Sequence, residues 1–267
     1  IQQLYFDNRQ SVFISSSKGL VICNLLKNKV TVVQLPRNNP ARTSVNYCMK
    51  INDTSFLTST SNSIYNIVLK DDDIRINSLA CFDSLISPEN KNILVDDKRR
   101  LIYVMGNYGS ILTTLSYENN TFNFLWRKEL NRVVNSMERI NDSLFWLSTS
   151  EGLLTFNANT REVKKESIPI LTNEPIYFQR RDKTGRWWIV QRSYLTLFNP
   201  LTEAIEERIF LSNKQSNQFT LSAACVSLPD NKLLLGSSEG VAIIDFDKRN
   251  EDNNAERIII RNVFMND

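Results

Sequence analysis

Six short segments recurring at nearly constant spacing constrain this chain more than any other feature. Gly19, Ser63, Gly109, Gly152, Tyr194 and Gly240 fall into one register, separated by 44, 46, 43, 42 and 46 residues, and four of the seven glycines occupy it. A β-type run precedes each point: Val12-Phe13-Ile14, Phe56-Leu57, Ile102-Tyr103-Val104, Phe145-Trp146-Leu147, Trp187-Trp188-Ile189 and Leu233-Leu234-Leu235. β-Branched and aromatic residues bounded by turn residues are strand signals. Ten or twelve residues before each point stands an aspartate: Asp7, Asp53, Asp97, Asp142, Asp182 and Asp230. Neighbours such as Asn8, Asn52, Asn141, Asn231 and Gly185 suit a tight hairpin. Beyond the point come a second alternating run, such as Leu153-Leu154-Thr155-Phe156, Asn-rich turns, and a last run such as Val30-Thr31-Val32-Val33 or Ile258-Ile259-Ile260.

Each period therefore reads as four antiparallel strands, the content of a propeller blade. The expected fold is an all-β propeller with six four-stranded antiparallel blades visible, alone or as part of a seven-bladed ring. The blades fall near 1–40, 41–87, 88–131, 132–174, 175–218 and 219–267 of a single propeller domain. Such small sheets bury their apolar faces only against one another. In this register Ile1 opens an inner strand, so no blade is completed from both ends. A solenoid would need a continuous three-strand coil pattern, which is missing, and no segment holds a helical apolar period for a dozen residues.

Composition narrows the function. Histidine is absent from all 267 residues, which removes Ser-His-Asp, Cys-His and His-ligated metal arrangements. The net charge of +3 is spread without the basic stripe a nucleic-acid partner needs. Cys23, Cys48, Cys81 and Cys225 form no C-x-x-C pair and read as buried thiols rather than metal ligands or disulfides. Asp71-Asp72-Asp73 reads as a hairpin tip, lacking the glycine and terminal Glu of a calcium loop. No metal or cofactor is expected. No apolar stretch reaches the roughly 18 residues of a membrane span, and with neither start Met nor leader the chain reads as a piece of a longer precursor.

The runs Asp182-Lys183-Thr184-Gly185-Arg186-Trp187-Trp188-Ile189, Leu144-Phe145-Trp146-Leu147-Ser148-Thr149-Ser150-Glu151-Gly152-Leu153 and Gly236-Ser237-Ser238-Glu239-Gly240-Val241 resemble the two-component regulator propeller repeat. The second copy has Ser63 and the fifth Tyr194 in place of the turn glycine. The chain thereby resembles the periplasmic sensor region of hybrid two-component histidine kinases of Bacteroides-type bacteria, which detect carbohydrate breakdown products. The tail from Arg257 to Asp267 resembles that family's exit toward an immunoglobulin-like domain before the membrane. The resemblance implies an extracytoplasmic ligand sensor that signals to a histidine kinase and is not itself an enzyme. It also implies an oligosaccharide ligand and a homodimer formed through the parent receptor. The rival readings are a non-enzymatic interaction or dimerisation scaffold and, third, a carbohydrate enzyme.

Of the inner-strand segments Gln2-Gln3-Leu4, Asn46-Tyr47-Cys48, Asn92-Ile93-Leu94, Ser136-Met137-Glu138, Phe178-Gln179-Arg180 and Ala223-Ala224-Cys225, only the fourth holds a carboxylate, Glu138, whereas a glycosidase needs two. The turns at the repeat point and the blade-to-blade connections are expected to share one rim. There Tyr108, Trp126, Tyr177, Arg192 and Tyr194 form the candidate ligand site. Aromatic faces suit sugar C–H surfaces, and Arg suits a carboxylate. Trp187 and Trp188 point to opposite faces of one strand, as seam packing requires.

Overall fold

The structure, a computed structural model, describes residues 3–7, 11–36, 44–60, 63–70, 73–79, 92–106, 109–118, 120–165, 174–182, 184–191, 194–210, 225–228, 232–237 and 240–245. By contact the chain divides into two compact units, Ile1–Val134 and Asn135–Asp267. Among the described residues there is no α-helix, hence none long and apolar enough to cross a membrane.

The first unit holds three sheets. Sheet I comprises β1 (Gln3–Asp7), β2 (Ser11–Ser16), β3 (Gly19–Asn24) and β4 (Lys29–Val33). Sheet II comprises β5 (Val45–Lys50), β6 (Ser55–Thr60), β7 (Ile64–Lys70) and β8 (Asp73–Ser78). Sheet III comprises β9 (Asn92–Asp96), β10 (Leu101–Gly106), β11 (Ile111–Glu118) and β12 (Thr121–Glu129). In the second unit, sheet IV comprises β13 (Val134–Arg139, starting at the boundary), β14 (Leu144–Thr149), β15 (Gly152–Asn157) and β16 (Val163–Lys165). Sheet V comprises β17 (Ile176–Arg181), β18 (Trp187–Gln191), β19 (Tyr194–Asn199) and β20 (Ala204–Phe210). Sheet VI has three described strands, β21 (Cys225–Leu228), β22 (Lys232–Ser237) and β23 (Gly240–Asp245). Every sheet is a meander in chain order, and sheet I is built wholly from the first four strands. The described architecture is thus five four-stranded sheets and one three-stranded sheet. The expected last strand at Ile258–Ile260 lies outside the described residues, as do Asn8, Asp230, Asn231 and Cys81.

The second strands of sheets II to V carry the core because both of their faces are covered. Phe56 and Ile67 of sheet II pack with Phe13, Leu20, Ile22 and Val33 of sheet I. The alternate residues Leu57 and Ile64 pack with Ile93, Ile102, Val104 and Leu115 of sheet III. All six residues of β6 are therefore buried. In the second unit Trp146 and Leu153 of sheet IV meet Trp187, Ile189 and Phe198 of sheet V, with the two indoles 4.7 Å apart. Trp188, on the opposite face, is equally buried. Full burial of one such side chain contributes about 1.5–3 kcal/mol, so stacking neighbouring sheets is the main stabilising term.

The turns follow a shared chemistry that differs in one respect from the sequence expectation. In the first hairpins the side chains that accept backbone N–H groups are Asn52, Asp96, Asn141 and Asp182. Only Asp182 is one of the aspartates singled out. An Asx turn needs its acceptor two or three residues before the N–H it takes, which selects the residue preceding Asp53, Asp97 and Asp142. Asp53 instead pairs with Lys50 at 3.1 Å, and Asp97 accepts from the Tyr117 hydroxyl at 2.7 Å. At the repeat point, Gly19, Gly109 and Gly152 have φ of 125°, 93° and 112°, values that favour glycine. Ser63 and Tyr194 are not among the positive-φ residues, so side chains fit there without strain. A hydroxyl three residues earlier closes this turn: Ser16, Thr60 and Thr149 donate to the carbonyls of Gly19, Ser63 and Gly152.

Cys23 and Cys48 are free thiols. Burial pushes the Cys48 thiol up to about 12, against a hydrogen bond with Thr58 that lowers it. Lys70 pairs with Asp73 between β7 and β8, and Asp73 is held by Arg75 at 3.0 Å; Asp71 and Asp72 lie outside the described residues. Among the described residues no group of three His, Cys, Asp or Glu side chains converges to hold a metal.

Candidate functional site

Of the five expected ligand residues, Tyr108 and Arg192 lie outside the described residues. Trp126 and Tyr177 were expected on blade-to-blade connections, and both instead lie within strands. Trp126 sits on β12, the outer strand of sheet III, opposite Thr114 and beside a shift in register. Phe124 pairs with Leu115, so the shift puts half-buried Trp126 on the face opposite Phe122 and Phe124, which pack on the core. The strand runs on to Glu129, so Trp126 lies inside the ladder rather than on a connection.

Tyr177 and Tyr194 share sheet V. β17 and β19 both run antiparallel to β18, so they start at the same end of the sheet. Their first residues stand two strands apart, roughly 10 Å. Tyr177 falls where the β17–β18 register skips from Ile176 to Phe178, a bulge that takes it out of the ladder. The Tyr194 ring meets Phe210 edge-on at 5.6 Å and lies under the Arg208 guanidinium at 4.9 Å.

The sequence reading missed the partner of Glu138. Arg180 Nη1 donates to Glu138 Oε1 at 2.8 Å, joining the first strands of sheets IV and V. Glu138 is 21% exposed and Arg180 38%. Burial raises the Glu138 pKa, and the adjacent guanidinium acts against that rise. Arg180 also lies 5.7 Å from the centre of the Phe178 ring. Amides also tie sheet IV to sheet V: Gln179 Nε2 donates to the Trp146 carbonyl on β14 at 2.7 Å and Asn135 Nδ2 to the Ile176 carbonyl on β17 at 2.8 Å.

Set in register, the repeats show that sheet V departs from the others where its first and third strands begin. Seventeen residues before the repeat point stand Asn46 and Asn135 in sheets II and IV, but Tyr177 in sheet V. Three before it stand Ser16, Thr60, Thr149 and Ser237, but Gly106 in sheet III and Gln191 in sheet V. On the first strands, Tyr5, Met49, Leu94 and Val226 each pair with the residue six before that point. Arg180 takes this place in sheet V, and Glu138 has the same spacing in sheet IV. The repeat spacing was a signal that could have found Arg180, because a charged residue stands where four other copies have an apolar or aromatic one.

No family model and no curated protein matches the sequence. Among solved structures, the chain is similar to the extracellular domain of the hybrid two component system BT3049 from B. thetaiotaomicron, at 17% identity and TM-score 0.64 over 94% of this chain. It is similar to that of BT4673 from the same organism, at 14% identity and TM-score 0.63 over 98% of this chain. The chain spans about a third of these two proteins, 35% and 34% of their lengths. A catalytically inactive variant of virginiamycin B lyase from Staphylococcus aureus, with quinupristin, matches at 12% identity and TM-score 0.67 over 92% of this chain and 81% of that one. At such identities the likeness is one of fold, an all-β array of antiparallel four-stranded sheets with propeller-like neighbours. The motif resemblance and the structural neighbours coincide on extracellular domains of Bacteroides hybrid two-component systems.

Proposed function

We propose that the chain is the sensor propeller of an extracytoplasmic receptor, a single domain of six blades within a longer protein. It recognises a carbohydrate-derived ligand in the periplasm and passes the signal to a histidine kinase. The observation that supports this reading is the agreement of two independent likenesses, the repeat motif and the fold of the sensor ectodomains. Catalysis by this segment is not part of the proposal. The inactive lyase that shares the fold has an alanine in place of a histidine, and this chain has no histidine. Its one inner-strand carboxylate of the second unit's described strands, Glu138, is engaged by Arg180.

The ligand site in this proposal centres on Tyr177 and Tyr194 of sheet V; the other candidates from the sequence are Arg192 and Tyr108, outside the described residues, and Trp126 on sheet III. Two tyrosines at one end of a sheet supply faces for sugar rings, and arginine supplies the planar donors for a hydroxyl or carboxylate. Calorimetric titration with neutral and acidic oligosaccharides tests it on wild type, Tyr177→Ala/Arg192→Ala and Arg192→Ala/Trp126→Ala. Binding lost in the first variant supports the site. Binding that survives both variants moves the site elsewhere, and no binding by wild type favours the scaffold reading. Protease access to the full-length receptor in spheroplasts, with a transcriptional reporter on the same oligosaccharides, tests location and signalling.

A further inference from the structure

The face of sheet V turned toward sheet IV changes character from one corner to the other. Trp187 and Phe198 form one cross-strand row on it and are buried against Trp146 and Leu153 of sheet IV. Cross-strand partners share a face, so Gln179–Ile189–Thr196–Arg208 is the next row and Tyr194–Phe210 the row after it. Ile189 and Thr196 are fully buried, Arg208 and Tyr194 are partly exposed, and Phe210 is 54% exposed. The face therefore opens at the corner where β19 begins and β20 ends.

Two departures from the repeat build that corner. Gly19, Gly109 and Gly152 leave the repeat point without a side chain, whereas Tyr194 puts a ring there. In sheets I to III the outer strand pairs only as far as Leu20, Tyr65 and Ile111, one or two residues past that point. β20 runs on until Phe210 pairs with Tyr194 at the point itself. This sets the Phe210 ring edge-on to Tyr194 at 5.6 Å, and Arg208, on the same face, lays its guanidinium over the Tyr194 ring at 4.9 Å. A guanidinium held on a ring keeps its N–H fork in one plane, the geometry that a carboxylate meets bidentately. Thr196, the cross-strand partner of Arg208, is fully buried, and its hydroxyl has no hydrogen-bond partner among the described residues. A buried hydroxyl in that state calls for a further polar group beside it.

We infer that Arg208, stacked on Tyr194 beside Phe210, is the residue through which sheet V receives the carboxylate of an acidic sugar, so that the ligand is a uronate-bearing oligosaccharide. The two rings take the C–H surfaces of the sugar while the guanidinium takes its charge. The inference rests on the proposed ligand site at Tyr177 and Tyr194, and adds to it a charge requirement and an arginine that the sequence did not single out.

Calorimetric titration of trigalacturonate and of its fully methyl-esterified form tests it, because the ester keeps the sugar rings and removes the charge. Both probes are titrated into wild type, Arg208→Gln, Arg208→Lys and Tyr194→Ala, with thermal unfolding to check that each variant folds. Wild type is expected to bind the acid at least about tenfold more tightly than the ester. Arg208→Gln removes that preference and leaves the affinity for the ester within about threefold of wild type. Arg208→Lys, which keeps the charge but not the fork, retains part of the preference, and Tyr194→Ala weakens acid and ester alike. In wild type the preference also shrinks as salt is raised, a readout that needs no variant. Equal affinity of wild type for the two forms overturns the inference, as does a preference that survives Arg208→Gln or is indifferent to salt. Binding confined to neutral oligosaccharides overturns it too and leaves the sensor reading standing, whereas a wild type that binds no oligosaccharide, neutral or acidic, overturns both.

Discussion

Replacing Arg180 with alanine removes the guanidinium that sits 2.8 Å from Glu138 and leaves a carboxylate that is 21% exposed. Truncating one partner of a fully buried pair costs about 3–5 kcal/mol, while an exposed pair is worth about 0–1. Arg180 is 38% exposed, so solvent screens the pair and the loss at neutral pH falls between these limits, about 1–2 kcal/mol. For a chain of this size that is a Tm drop of about 3–6 °C. The sign of the pH dependence follows from the carboxyl. Burial raises its folded pKa above the ordinary 4.5, so from 4.5 up to the folded value the native state holds the proton more tightly than the unfolded chain. Stability therefore falls as pH rises through that window. Without Arg180 the folded value rises further, the window widens and the fall steepens. The penalty of Arg180→Ala is accordingly largest near pH 7 and shrinks as pH drops to 4.5 and below. Urea unfolding of wild type, Arg180→Ala and Glu138→Gln/Arg180→Ala at pH 7 and pH 4 measures this directly. The double variant, with no charge left to bury, is expected to be more stable than the single at pH 7. A penalty equal at both pH values, or a double variant no more stable than the single, would refute the reasoning.

Asp182→Ala removes an acceptor bonded to two backbone N–H groups, the Thr184 hydroxyl and the Arg186 guanidinium, at a cost of about 2 kcal/mol at pH 7. Burial raises the Asp182 pKa, but the Thr184 and Arg186 donors together hold it below 3.8, so its contribution is present above that pH and is lost in acid. The urea midpoints of wild type and variant should converge as pH falls toward 2, and a constant gap counts against the account. Gly109→Ala places a Cβ 2.0 Å from the Val134 carbonyl oxygen at φ +93°, whereas Gly152→Ala meets nothing within 4 Å at φ +112°. Thermal unfolding should show Gly109→Ala the more destabilising by at least about 2 kcal/mol, and equal losses would remove the steric argument. Cys48, fully buried with its thiol pushed up to about 12, should label far more slowly than half-buried Cys23 with a thiol reagent in the native state. Peptide mapping reads each rate, and comparable rates would contradict the packing around Cys48.

The strand pattern was legible because the second strands of sheets II to V are covered on both faces. That forces runs such as Phe56-Leu57 and Trp187-Trp188-Ile189, which no loop would carry. The glycine register was legible for a similar reason, since three described copies take a backbone conformation that glycine favours. Details that depend on a single-residue offset were not. Asn52-Asp53 and Asn141-Asp142 each offer two equivalent acceptors, and only the geometry of the turn selects the first. Trp126 and Tyr177 border turns in sequence, and their place in strands is decided by pairing with Thr114 and by the bulge after Ile176. The Glu138–Arg180 contact joins residues 42 apart and depends on two sheets meeting, which a pass along one strand at a time does not show.

A repeat array supplies each sheet with the same interior, so a departure from the repeat has to be accounted for by something other than the interior. Arg180 and Glu138 stand where four other copies have Tyr5, Met49, Leu94 and Val226. A partly buried ion pair contributes little net stability beside the apolar residues it replaces, because desolvation offsets the attraction. Stability alone therefore gives no reason for the change, whereas a fixed charge geometry does. Tyr177, Gln191 and Tyr194 depart from the repeat at one end of the same sheet, and the bulge at Tyr177 re-aims that side chain relative to the ladder. Gln191 is fully buried and belongs to the interior. Tyr177 and Tyr194 remain partly exposed, although the Tyr194 ring also packs against Phe210 and Arg208. In the proposed site the residues of sheet V left for a ligand are therefore these two tyrosines, and not the buried Trp187 and Trp188.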